Sequence, residues 1–175
     1  SIDHVLALFP FEPPYMEAEG MACDFVGHPI AAKSEVSHEQ VAEFQELIGL
    51  DPNRPALVVL PGSRRSEIQR LLPIFCKTLS QPDFANVQLI LPTLPHLAAL
   101  VRDHIQFLPQ DYFIVTGEGL SANDAAEQRF LAFSASKAAL AASGTVSLEL
   151  AAAGTPMVIA YDMGLLSKII IGRML

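Results

Sequence analysis

Apolar residues in this chain fall into short continuous runs, separated by stretches in which they recur every three or four positions. Val5-Leu6-Ala7-Leu8-Phe9 is the first run. It is closed by Pro10 and predicts a buried strand. Pro13-Pro14 interrupts the chain, with a short helix expected after it, and Asp24-Phe25-Val26-Gly27 predicts a second strand ended by Gly27-His28-Pro29. From Ala31 to Glu39 the pattern turns polar, as a boundary or linker would. Gln40 to Ile48 then predicts an amphipathic helix through Val41, Phe44, Leu47 and Ile48, stopped by Gly49 and Pro52.

A regular alternation follows. Strands are predicted at 56–60, 87–91, 112–115, 138–142 and 157–161. The segments between them carry helical spacing, as in Ile68, Leu71, Leu72, Phe75, Cys76 and Leu79. Pro73 is expected to bend or restart that helix. Further helices are predicted at 96–106, 125–133 and 146–153, and a last one from Leu165 to Leu175. Repeated strand–helix units imply a Rossmann-like α/β fold: a parallel sheet with right-handed crossovers and helices on both faces. In such sheets ligands bind outside the carboxyl ends of the strands. The loops 61–67, 92–95, 117–124, 143–146 and 162–164 are therefore where a site is expected.

Composition agrees with this class. Of 175 residues 51% are hydrophobic and 17% charged, enough for a sizeable core. The net charge of −8 argues against a nucleic-acid partner, which needs a basic face. It says nothing about a local anion site, for which one or two arginines and a few N–H groups suffice. Cys23 and Cys76 lie far apart, outside CxxC spacing and in apolar contexts, so buried free thiols are expected rather than a disulfide or metal pair. No apolar run reaches the roughly 20 residues that span a bilayer. The chain starts at Ser1 and stops inside the apolar pattern Gly172-Arg173-Met174-Leu175, so it is expected to be part of a longer protein.

Two segments carry candidate chemistry. In Leu60-Pro61-Gly62-Ser63-Arg64-Arg65-Ser66-Glu67 a strand ends, glycine permits close backbone approach, and a helix begins. A helix start offers unpaired N–H donors and about half a positive charge, which suits a diphosphate. Ser63 could cap the helix or donate to a phosphate, and Arg64 adds a fork of donors. An ordinary capped helix with solvent-facing arginines is the alternative. The segment is neither GxGxxG nor GxxxxGK[ST]. In Ala142-Ser143-Gly144-Thr145-Val146-Ser147-Leu148-Glu149 a second small-residue turn opens a helix, and Glu149 could accept hydrogen bonds from two neighbouring ribose hydroxyls. Alternatively it only complements the helix dipole. There is no DxD, HxxxH, HExxH or GxSxG pattern, so neither a metal-bridged diphosphate nor a serine hydrolase is indicated. His28 is either a turn residue or a residue of a cleft at the domain junction. The segment from Leu165, with Lys168 and Arg173, is either a core helix or a lipid-facing surface.

Leu60-Pro61-Gly62-Ser63-Arg64, Ser143-Gly144-Thr145 with Glu149, and Pro156-Met157-Val158 leading to Tyr161 together resemble the bacterial lipid-A-disaccharide synthase family. Leu8-Phe9-Pro10-Phe11-Glu12 and Phe25-Val26-Gly27-His28-Pro29 are similar to that family's segment before its domain crossover. The resemblance covers nearly the whole chain in order. It implies half of a two-domain GT-B glycosyltransferase. Residues 1–30 would end the N-terminal domain, 31–55 would form linker and crossover helix, and 56–175 would be a truncated C-terminal UDP-sugar-binding domain. The implied reaction moves diacylglucosamine from UDP to a lipid monosaccharide 1-phosphate acceptor, with inversion and no metal or other cofactor, at the cytoplasmic face of the inner membrane. By matching position, Gly62, Ser63 and Arg64 would meet the diphosphate from one side and Ser143, Gly144 and Thr145 from the other. Glu149 would hold the ribose, and the uracil would stack near Thr116-Gly117. The resemblance puts the catalytic base in the N-terminal domain, so none is named, and the isolated chain is expected to be inactive. A UDP-N-acetylglucosamine epimerase or a non-catalytic nucleotide-binding domain is the alternative.

Overall fold

A computed structural model describes residues 2–32 and 36–161, and the chain divides into two compact units, Ser1–Glu35 and Val36–Leu175. In the first unit, strands β1 (His4–Ala7) and β2 (Ala22–Phe25) pair in parallel with Val5 opposite Cys23. Helix α1 (Pro13–Ala18) makes the crossover, its prolines sitting in the first turn, where no N–H is required. Both strands begin earlier than their apolar runs do. Glu12 closes the corner after β1: its Oε2 accepts the Leu8 and Phe9 N–H groups at 2.9 and 2.8 Å. His28 directly precedes the 3-10 helix Pro29–Ala32; its Nδ1 accepts the Ile30 N–H at 3.2 Å and its ring lies 6.1 Å from that of Phe9.

The second unit is a five-stranded parallel sheet: β3 (Ala56–Leu60), β4 (Gln88–Pro92), β5 (Tyr112–Val115), β6 (Ala138–Ala142) and β7 (Met157–Ala160), in the order β5-β4-β3-β6-β7. Strand side chains alternate between faces, and the core separates accordingly. Val59, Leu89 and Leu91 point to one face, where helices α3 (Arg65–Leu79) and α4 (Ala98–Ile105) cover them with Ile68, Leu72, Phe75, Val101 and Ile105. On the other face, α2 (His38–Ile48) brings Phe44 against Ile90 and Val115, while α5 (Ala122–Ser134) and α6 (Val146–Ala152) bring Phe130, Phe133 and Leu150 against Val58 and Leu60. The expected α/β class, with helices on both faces, is the observed one.

Some local details depart from expectation. α3 runs unbroken through Pro73. Pro73 and Gln69, whose carbonyl loses its partner, both lie on the exposed side, so the missing bond leaves no buried polar group. α5 starts three residues before the expected position because Ser121 Oγ accepts the Asp124 N–H at 3.2 Å and caps it. Cys23 and Cys76 are free but half-buried rather than fully buried, and burial pushes the Cys76 thiol pKa up. The loop 162–164 and the segment Leu165 to Leu175 lie outside the described residues. No helix among the described residues is long and apolar enough to cross a membrane.

Candidate functional site

The strand order reverses direction between β3 and β6. From β3 the chain adds β4 and β5 on one side, then returns to add β6 and β7 on the other. Outside the carboxyl ends at such a switch point the flanking connections diverge and leave a crevice. Leu60 and Ala141 are register partners on the adjacent strands β3 and β6, so the corners that follow them leave the sheet side by side. A pocket of about 770 Å³ opens there, within the size range of small-molecule sites.

Nine residues singled out by sequence line this one pocket: Gly62, Ser63 and Arg64 after β3, Thr116 and Gly117 after β5, Ser143, Gly144 and Thr145 after β6, and Glu149 on α6. Thr93 and Leu94 after β4 join them, and Ala122, Ala125, Ala126, Gln128 and Arg129 of α5 form a wall. Small residues set that wall's position. A Cβ on Gly117, whose φ is +65°, would lie 2.6 Å from Ala125 Cβ, so β5 and α5 approach this closely only without one.

The corner after β3 already contains an anion. Glu67 reaches back from the first turn of α3; its Oε2 accepts the Ser63 N–H at 3.0 Å and the Arg64 N–H at 3.3 Å, and its Oε1 takes Arg64 Nη1 at 2.7 Å. Burial would raise the pKa of this carboxyl. The Arg64 side-chain bond, the two backbone N–H donors and the Arg64 charge outweigh burial and hold it below its ordinary value. Two expectations change as a result. Arg64 rather than Ser63 occupies the cap position, and the amides of Ser63 and Arg64 are satisfied within the chain. The corner after β6 is partly committed as well: the Ser143 N–H donates to Ala160 O at 2.8 Å and extends the β6–β7 pairing. Its remaining donors are the amides of Gly144 and Thr145 and the hydroxyls of Ser143 and Thr145.

The pocket lining carries a second ion pair: Arg129 Nη2 lies 2.6 Å from Glu149 Oε2. The site thus holds two arginines, each coupled to a glutamate. Sequence reasoning quoted Glu67 without a role and passed over Arg129 and Gln128 as ordinary helix residues. A signal was available in part. Arg129 directly precedes the buried Phe130, at the edge of the apolar face of α5, where a cation needs a partner. Gln128 Oε1 and Arg129 Nε are buried without a hydrogen-bond partner among the described residues.

Two solved structures share this fold. A glycosyl transferase of family 9 from Veillonella parvula aligns with a TM-score of 0.57 at 12% identity, covering 80% of this chain and 44% of its own. The ADP-heptose LPS heptosyltransferase II of E. coli aligns at 0.60 and 17% identity, covering 73% of this chain and 38% of its own. Fold and switch-point pocket together define a Rossmann-like α/β unit with a ligand-sized crevice at the carboxyl ends of its strands.

Sequence comparison narrows the class. The family model described as lipid-A-disaccharide synthetase matches residues 1–175. The lipid-A-disaccharide synthase of Ruegeria pomeroyi is 48% identical over 175 residues, covering 99% of this chain and 43% of that protein. That of Rhodospirillum centenum is 44% identical over 162 residues, covering 91% and 38%. The chain belongs to the lipid-A-disaccharide synthase family. It spans less than half the length of these curated relatives.

Proposed function

We propose that residues 56–175 form the donor-binding domain of a glycosyltransferase that moves diacylglucosamine from UDP-2,3-diacylglucosamine to 2,3-diacylglucosamine 1-phosphate. In this reading residues 1–30 close the preceding domain and 31–55 lead the chain across. The reaction inverts the sugar and needs no metal. The enzyme works against the cytoplasmic face of the inner membrane of a Gram-negative bacterium.

The observation that carries the reading is the convergence of four strand ends on one pocket at the switch point. The diphosphate lies between the β3 and β6 corners. Arg64, 77% exposed, is free to exchange its Glu67 partner for phosphate oxygens. Hydroxyls of Ser63, Ser143 and Thr145 and the amides of Gly144 and Thr145 complete the anion site. The ribose lies on Glu149 and the uracil near Thr116-Gly117. As the sugar–phosphate bond breaks, charge grows on the departing diphosphate, and donors already in place there stabilise the transition state.

Titration of the chain with UDP, followed by calorimetry, tests this. Saturable binding is expected, weaker for UMP than for UDP. Arg64→Ala is expected to lower UDP affinity about tenfold or more, the range for hydrogen bonds to a charged group. Absence of saturable binding at millimolar UDP overturns the reading.

A further inference from the structure

The Arg129–Glu149 pair connects two helices that meet at the pocket wall, one from each side of the connection through β6. Glu149 is the more enclosed partner: its side chain is 16% exposed against 43% for Arg129. A carboxylate offers two oxygens, both acceptors. Here Oε2 is taken by Arg129 Nη2 at 2.6 Å, so the direction in which Oε1 presents itself is set by the pair. Arg129 is in turn restrained, because its Nε is buried against protein and one Nη is already committed. What the guanidinium has left to offer a phosphate is small beside Arg64, which stands open at the β3 corner.

We propose that Arg129 is a positioning residue: it aims Glu149 at a ribose hydroxyl, so that the pocket selects ribonucleotides over deoxyribonucleotides. The inference rests on the nucleotide reading of the pocket. A glutamate has three rotatable side-chain bonds, and a free one samples several rotamers. Tied at one oxygen, it keeps a single acceptor direction. A sugar lacking the matching hydroxyl then leaves Oε1 of this part-buried carboxylate without a partner, which is where discrimination arises.

The test measures binding of UDP, 2′-deoxy-UDP and 3′-deoxy-UDP to the chain by calorimetry. The parent is expected to prefer UDP over at least one deoxy analogue by about ten- to hundredfold, the range for a hydrogen bond to a charged group. Arg129→Met is expected to shrink that preference to about threefold or less by weakening UDP alone, and Arg129→Lys to retain much of it. In a Glu149→Ala background, Arg129→Met is expected to change nothing further, as a residue acting only through Glu149 must. That background also removes the carboxylate that Arg129→Met leaves without its partner, so it stays informative if Arg129→Met alone unfolds, which circular dichroism would report. Equal loss for all three nucleotides, or a further loss in the Glu149→Ala background, overturns the proposal by making Arg129 a phosphate contact. A parent that binds UDP and both deoxy analogues alike overturns it and leaves the nucleotide reading standing. A parent that binds none of them removes both.

Discussion

Replacing Gly62 by alanine tests whether the β3 corner is as tightly determined as its geometry implies. Two effects add. Gly62 has φ +120°, a conformation that side chains rarely adopt, and holding a non-glycine residue there costs about 1–3 kcal/mol. The new Cβ would also lie 2.5 Å from Glu67 Oε2 and 2.6 Å from Glu67 Cβ. Rotating the carboxylate relieves only the first contact, since Glu67 Cβ is fixed to the first turn of α3. Either the helix start or the corner must shift, and the bonds from the Ser63 and Arg64 amides loosen. Those bonds are exposed, so together they add about 1 kcal/mol, the net worth of an ordinary hydrogen bond. The sum is about 2–4 kcal/mol, or a melting point lower by roughly 6–15 °C for a domain of this size. Thermal unfolding followed by circular dichroism measures it, with UDP affinity as the second readout. A variant that melts within about 2 °C of the parent and binds UDP equally well would show that the corner is plastic, and that neither Gly62 nor the Glu67 clasp determines it.

Three further outcomes are expected. Glu67 has a folded pKa below its unfolded value, so its stabilisation is complete above the ordinary carboxylate pKa of about 4.3 and is lost as pH falls through the lower folded value. Acid titration of unfolding free energy should therefore be less steep in Glu67→Gln than in the parent, and identical slopes would remove Glu67 from the account. Leu150→Ala opens a hole beneath α6, where Leu150 is 0% exposed among Val58, Leu60, Phe130 and Phe133, and should cost about 2–5 kcal/mol by chemical denaturation. Arg64→Ala, by contrast, should leave stability within about 0.5 kcal/mol of the parent while UDP affinity falls, because its ion pair with Glu67 is exposed.

Much of the second unit was legible because a parallel sheet covered on both faces reads as uninterrupted apolar runs. The limits of β3, β5 and β6 coincide with such runs, and even the small residues of Ala138–Ala142 were enough, bounded as they are by helical spacing on either side. The corners of the pocket were legible for a related reason, since small residues between a strand and a helix announce a place where backbone is approached closely. Strand order was not legible, because chain order does not say that β6 returns to lie against β3. The Arg129–Glu149 pair depends on that return and stayed invisible, although both residues were in plain view. Likewise, the committed amides of Ser63, Arg64 and Ser143 could not be foreseen. Their partners are a side chain one helical turn away and a carbonyl on β7.

The two corners of the pocket are held from opposite directions. α3 is seated in the core on one face of the sheet and α6 in the core on the other, with only the strands in common. A molecule gripped by both corners is thus a tie between two layers, and its arrival would be felt beyond its own contacts. Amide exchange should slow in both helices together, though they lie on opposite sides of the sheet. Loosening either layer by mutation should weaken the grip of a site that the altered residue never touches.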